Sequence, residues 1–122
     1  MDWSKYPNFS AREFNCKHTG RNRMEPNFMA RLQALRAEYG KPMVVTSGYR
    51  DPSHPVEARK TRPGTHALGL AVDIACNGAD AYQLVRLAMK HGFTGIGVAK
   101  TFVHLDDCQP ADGFSRPFVW VY

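Results

Sequence analysis

The chain has no apolar run near the roughly 18 residues that a membrane-spanning helix requires, so membrane insertion is not expected. It has no arginine-rich arm either; its 16 Lys and Arg are scattered among 11 Asp and Glu. Nor does it carry an aromatic-interleaved RNA-binding signature, so nucleic acid is not an expected partner. The net charge of +5 suits an anionic partner, whether nucleic acid, membrane surface or acidic wall polymer, without choosing among them. Cysteine is scarce: Cys16, Cys76 and Cys108 form no CxxC pair, which argues against a zinc ribbon or a redox motif. Free thiols of a protein made in a reducing compartment are the simpler reading, with one Cys16–Cys108 bridge as the alternative. Met1-Asp2-Trp3-Ser4-Lys5-Tyr6-Pro7 lacks the charged-then-apolar layout of a signal peptide, so export by that route is not expected. Repeats, low-complexity segments and linkers are also missing. A length of 122 residues is that of one domain with one core, so 1–122 reads as a single unit.

Several regular elements are legible. Ser10 with Glu13 three residues later is a capping box over a short helix. Pro26 opens a longer helix carrying Met29, Leu32, Leu35 and Tyr39 at helical spacing, and Gly40 stops it. Met43–Thr46 reads as a buried strand. The stretch from Ser47 to Thr65, with Gly48, Pro52, Pro55, Pro63 and Gly64, reads as a long loop of the functional kind. Leu68–Ala75 is a second expected strand. Asp80 reads as the cap of a helix to Lys90, with Ala81, Leu84, Val85 and Ala88 on one face. Thr94–Val98 and Phe102–Leu105 form a hairpin-like pair, and Phe118–Tyr122 has strand propensity. Helices and strands are segregated, so the expected class is α+β, a small antiparallel sheet with helices packed on it.

Two segments carry polar groups where strands should be apolar. Alternation puts Gly69, Ala71 and Asp73 on one face and Leu70, Val72 and Ile74 on the other. The second set is core; the first is two small side chains leading to a carboxylate that is costly to bury unpaired. Either a buried arginine satisfies Asp73, or a cation does, with His66 as a second ligand. In Phe102-Val103-His104-Leu105-Asp106, His104 and Asp106 share a face opposite Val103 and Leu105. Alone, His104 could be a core histidine bonded to backbone. Two His and one Asp give the ligand count that leaves zinc one open position.

His66-x-x-Gly69-x-Ala71-x-Asp73, then Phe102-Val103-His104-Leu105-Asp106, resembles the M15 peptidases, with Ser47-Gly48-Tyr49-Arg50 matching a further segment upstream. The resemblance runs from about Phe9 to about Asp106. These are zinc D-alanyl-D-alanine carboxypeptidases and phage endolysins sharing the hedgehog/DD-peptidase fold. The resemblance implies one zinc ion held by His66, Asp73 and His104. It places Arg50 in the site, steadying an oxyanion or holding a substrate carboxylate, with Ser47 and Tyr49 beside the substrate. Many relatives carry a general-base carboxylate just before the last histidine; Ala99-Lys100-Thr101-Phe102-Val103 has none. Asp106 is then the candidate base, or else a partner that orients His104. Glu57 and His54 are lesser candidates, expected to be solvent-exposed. Trp3, Trp120 and Tyr122 read as core or edge aromatics, and His18 lacks partners for a second metal. The implied activity is hydrolysis of peptidoglycan stem peptides by a monomeric phage or prophage enzyme, acting at the cell wall after release or on the virion. The alternative is a non-catalytic zinc-containing structural or wall-binding module of a phage particle.

Overall fold

Pro26 occupies the first turn of α1 (Pro26–Tyr39), where a missing N–H costs nothing, and Gly40 ends the helix at φ 72°. Phe28, Met29, Leu32 and Leu35 form the buried face of α1, close to the expected stripe, with Tyr39 half-buried. The computed structural model describes all residues, Met1–Tyr122. Upstream, the Glu13 carboxylate accepts from the Ser10 backbone N–H at 2.7 Å, as the capping box requires. The turn it closes, Ala11–Phe14, is a 3-10 helix that buries Phe14. A second long helix, α3 (Gly78–Lys90), starts two residues before the expected cap. Asn77 takes the cap position, and Asp80 pairs instead with Lys41 at 2.6 Å.

Five strands form one sheet: β1 (Val44–Ser47), β2 (Ala71–Ala75), β3 (Gly95–Val98), β4 (Phe102–Asp106) and β5 (Phe118–Val121), in the order β1-β2-β4-β3-β5. The pairs β1–β2, β2–β4 and β4–β3 are antiparallel, but β5 lies parallel to β3. The sheet is therefore mixed, not wholly antiparallel as expected. β4 already has a neighbour on each side, and the returning strand β5 adds at the β3 edge of the sheet. It runs against β4, and hence along β3. The α+β class stands.

Helices α1 and α3 contact each other, and α3 lies against β4. Val72 and Ile74 of β2, Ile96 of β3, and Val103 and Leu105 of β4 join the helices' apolar faces in one core. Burying such side chains stabilises by about 1.5–3 kcal/mol each and turns the other sheet face away from the helices. That other face holds one continuous row across the sheet. Ser47 is registered on Asp73, Asp73 on His104, His104 on Gly97, and Gly97 on Trp120. No helix is long and apolar enough to cross a membrane.

One expectation fails at Gly69. Strand β2 starts only at Ala71, and residues before it form turns. Gly69 has φ +73°, and a side chain there would run into the Arg23 carbonyl oxygen. Its smallness admits the neighbouring backbone, where Gly69 O accepts from Glu25 N at 3.0 Å, and it is not part of the strand face that carries Asp73. The long loop is not irregular throughout either. It contains a short helix, α2 (Pro55–Ala58), whose first turn is capped by His54 Nδ1 accepting from Val56 N at 3.1 Å.

Candidate metal centre

His66 stands in the turn before β2, its Nδ1 2.9 Å from the Gly48 carbonyl oxygen. A carbonyl only accepts, so Nδ1 carries the proton and Nε2 turns its lone pair to Asp73 Oδ1, 3.3 Å away. Strand β4 presents His104 between two carboxylates: Nδ1 lies 3.0 Å from Asp73 Oδ1 and Nε2 2.7 Å from Asp106 Oδ2. Burial pushes the Asp106 carboxyl up, but bonds from His104 and Arg116 outweigh it and hold the group down at about 2. Asp106 is thus ionised at neutral pH and accepts from Nε2–H, which leaves Nδ1 facing Asp73: it donates when the ring is protonated and offers a lone pair when the ring is neutral. Each imidazole has one nitrogen tied and the other aimed at the same carboxylate oxygen.

Three electron-pair donors, His66 Nε2, Asp73 Oδ1 and His104 Nδ1, then converge, all within 4.8 Å of one another. Such a cluster repels itself unless protons or a metal cation lie between the donors. The set fits a metal, since both rings are held by partners on their far nitrogens, as ligating histidines usually are. Burial raises the Asp73 carboxyl, but when protons rather than a metal lie between the donors, bonds from His104 and His66 outweigh it and leave the group well below the usual range. For His104, burial favours the neutral ring, yet the bonds to Asp106 and Asp73 win and its pKa is raised.

These shifts give a pH dependence with a definite sign. Without metal, a raised His104 pKa stabilises the fold fully below its unfolded value, about 6.5. That contribution is lost as pH rises through the folded value. A metal needs the neutral ring, so its affinity rises over the same interval. The difference in melting temperature between metal-loaded and chelated protein is therefore expected to widen as pH rises above ~6.5. Differential scanning calorimetry at constant free metal checks this; a constant gap would contradict it.

Asp106 is fully buried and saturated. Oδ1 accepts from Arg116 Nε at 2.9 Å and Cys108 N at 3.2 Å; Oδ2 accepts from Arg116 Nη2 at 2.8 Å and from His104. The group is not among those lining the cleft. Gly95, registered on Asp106, makes room for it, because a side chain at Gly95 would strike the carboxylate. Gly97 does the same for Trp120: a Cβ there would lie 2.6 Å from the indole Nε1. The indole consequently lies 5.1 Å from the His104 ring, with the Arg116 guanidinium 5.2 Å over its face.

The three donors line a cleft of about 510 Å³ together with Arg50 and Lys60. Phe102, Phe114, Trp120 and Tyr122 form its aromatic wall. Arg50 donates from its backbone N to His66 O at 3.3 Å and from Nη2 to Ser47 Oγ at 3.2 Å. Ser47 itself lies beside a smaller adjoining pocket with Arg50. The Tyr49 side chain is buried in the main core, and its backbone N donates to Phe14 O at 2.8 Å.

Glu57, expected in solvent, has a side chain only 1% exposed. Its Oε1 accepts from Gly64 N at 2.9 Å and its Oε2 from Lys60 Nζ at 2.7 Å. His54 is half-buried as the cap of α2 rather than free. The His18 ring lies 5.9 Å from the His54 ring and is not in the one group of residues that could hold a metal. All three cysteines are thiols; Cys16 and Cys108 are buried, and burial pushes the Cys108 thiol up to about 12.

Among the cleft residues that escaped the sequence reading are Trp120, Tyr122, Phe102, Phe114, Arg116 and Lys60. Alternation along Phe118-Val119-Trp120-Val121-Tyr122 signals a two-faced strand. Which face meets the site depends on pairing with β3, which no local pattern specifies.

Two imidazoles, each held at its far nitrogen, and one carboxylate open to a cleft are a group that could hold one metal ion. The Peptidase M15 family model matches residues 7–106, and the chain belongs to that family of metallopeptidases. No curated protein matches the chain.

Proposed function

We propose that the chain is a zinc peptidase that hydrolyses peptide bonds in the stem peptides of peptidoglycan. The observation that carries this is the convergence of His66 Nε2, Asp73 Oδ1 and His104 Nδ1 on an open cleft. Two nitrogens and one oxygen suit zinc, and three protein ligands leave a position for substrate or water. The chemistry that zinc supplies when bound is Lewis acidity, toward the scissile carbonyl and toward water.

The chain's own residues do the rest. His66 and His104 keep their lone pairs on the metal position because Gly48 O and Asp106 hold their other nitrogens. Asp106 has both oxygens spent on four donors, so of its two candidate roles we assign it the orienting one. Arg50 offers a guanidinium to charge developing on the substrate carbonyl, or to a substrate carboxylate. Trp120 and its aromatic neighbours exclude water from one side.

Phage or prophage origin, action at the wall from the virion or after release, and a monomeric state belong to the same reading. A second reading is a non-catalytic metal-containing wall-binding module; the absence of a free carboxylate in the cleft favours it. Zinc-loaded protein incubated with purified peptidoglycan is expected to release new amino groups, and a chelator to stop the release. Full zinc occupancy with no release would favour the module.

A further inference from the structure

Two cations reach the cleft from the loop between β1 and β2, and one buried carboxylate holds both. Lys60 Nζ lies 2.7 Å from Glu57 Oε2, and Arg50 Nη1 lies 3.8 Å from the same oxygen. Gly64 lets the lysine fold back, since a Cβ there would lie 2.5 Å from Nζ and 3.1 Å from Glu57 Oε1. Glu57 is fixed in turn by the Gly64 N–H, so the group is built rather than a chance meeting of surface chains. Arg116, the other cleft-lining cation, is matched by Asp106 through two bonds. Two cations on one carboxylate leave a positive charge unmatched at the cleft wall.

Resting on the peptidase reading above, we propose that Lys60 and Arg50, positioned by Glu57, form an anion subsite. The peptides held there carry a free carboxylate near the scissile bond. An ammonium and a guanidinium together suit a carboxylate, the guanidinium binding it in a fork and the ammonium as a point charge. Tethering to Glu57 lowers the entropy lost when the lysine is used, as preorganisation generally does. A stem peptide has two sources of such a group: its C-terminus, and the α-carboxylate of its γ-linked D-glutamate. The first makes the enzyme a carboxypeptidase and the second an endopeptidase.

The test uses zinc-loaded full chain and three probes: a stem pentapeptide with both carboxylates, its C-terminal amide, and the version with D-isoglutamine in place of D-glutamate. Binding is read from the change in tryptophan fluorescence, with Trp120 the indole that lines the cleft, and cleavage from released amino groups. A protein that binds but does not cut thus fails the peptidase reading and not this one. One of the two neutralised peptides is expected to bind about threefold to tenfold more weakly, spanning exposed-pair and charge-assisted strengths. Which one weakens identifies the carboxylate. Lys60→Met should remove most of that preference while leaving the neutralised peptide's affinity unchanged. Glu57→Gln adds net positive charge, yet affinity for the carboxylate peptide should fall because the cations lose their fixed positions. Equal binding of all three probes, or an undiminished preference in Lys60→Met, would overturn the subsite. Tighter carboxylate binding in Glu57→Gln would overturn the positioning role.

Discussion

Asp73→Ala is expected to weaken zinc binding at least ~10²-fold and to abolish hydrolysis while leaving the fold in place. Asp73 Oδ1 is the one atom that both histidines face, at 3.3 and 3.0 Å. Its loss leaves two neutral ligands and removes the negative charge that favours a dication. Zinc sites in small domains contribute about 10–16 kcal/mol over four ligands, or ~3 kcal/mol each, so affinity should fall by at least ~10²-fold. Zinc content after dialysis against a competing chelator, with far-ultraviolet circular dichroism as the folding control, checks it. Undiminished zinc with full activity would rule out Asp73 as a ligand.

Asp106→Asn carries the second large effect, and it separates the two roles open to that residue. The Arg116 side chain is only 7% exposed, and Asp106 is its carboxylate partner. Stranding such a cation costs about 3–5 kcal/mol, a large share of the stability of a chain this size. The melting temperature should fall by roughly 10–20 °C. The pair Asp106→Leu with Arg116→Met should recover much of that loss, because it leaves no buried charge unpaired. Both variants should still bind zinc ~10–100-fold more weakly, since the His104 ring is no longer held by an anion at Nε2. A base would behave differently. Zinc affinity would stay and kcat alone would fall.

Much of the site was legible because its signals are local. The alternation in 102–106 places His104 opposite a core face, and β4 does present it there with Asp106. Pro26 and Gly40 bracket α1 because each is read through its own backbone geometry. What escaped depended on distant pairing. Gly69 looked like part of a small-residue face, but its requirement comes from Arg23, over forty positions away in the chain. Glu57 looked solvated because charged loop residues usually are; Gly64 and Lys60 bury it by closing the loop over it. The parallel placement of β5 on the β3 edge, which brings Trp120 over His104, is a long-range pairing that no local pattern specifies. Asp106 could be placed on the right face from sequence, but its four donors come from β4, Cys108 and Arg116, so its saturation could not be read.

The most direct measurement is the X-ray absorption spectrum of the zinc-loaded protein at the metal edge. Two imidazole nitrogens at ~2.0–2.1 Å with oxygen completing the shell, and no sulfur, is the expected result. One imidazole or none, sulfur at ~2.3 Å, or a folded protein that retains no divalent ion would contradict the centre and the hydrolysis that depends on it.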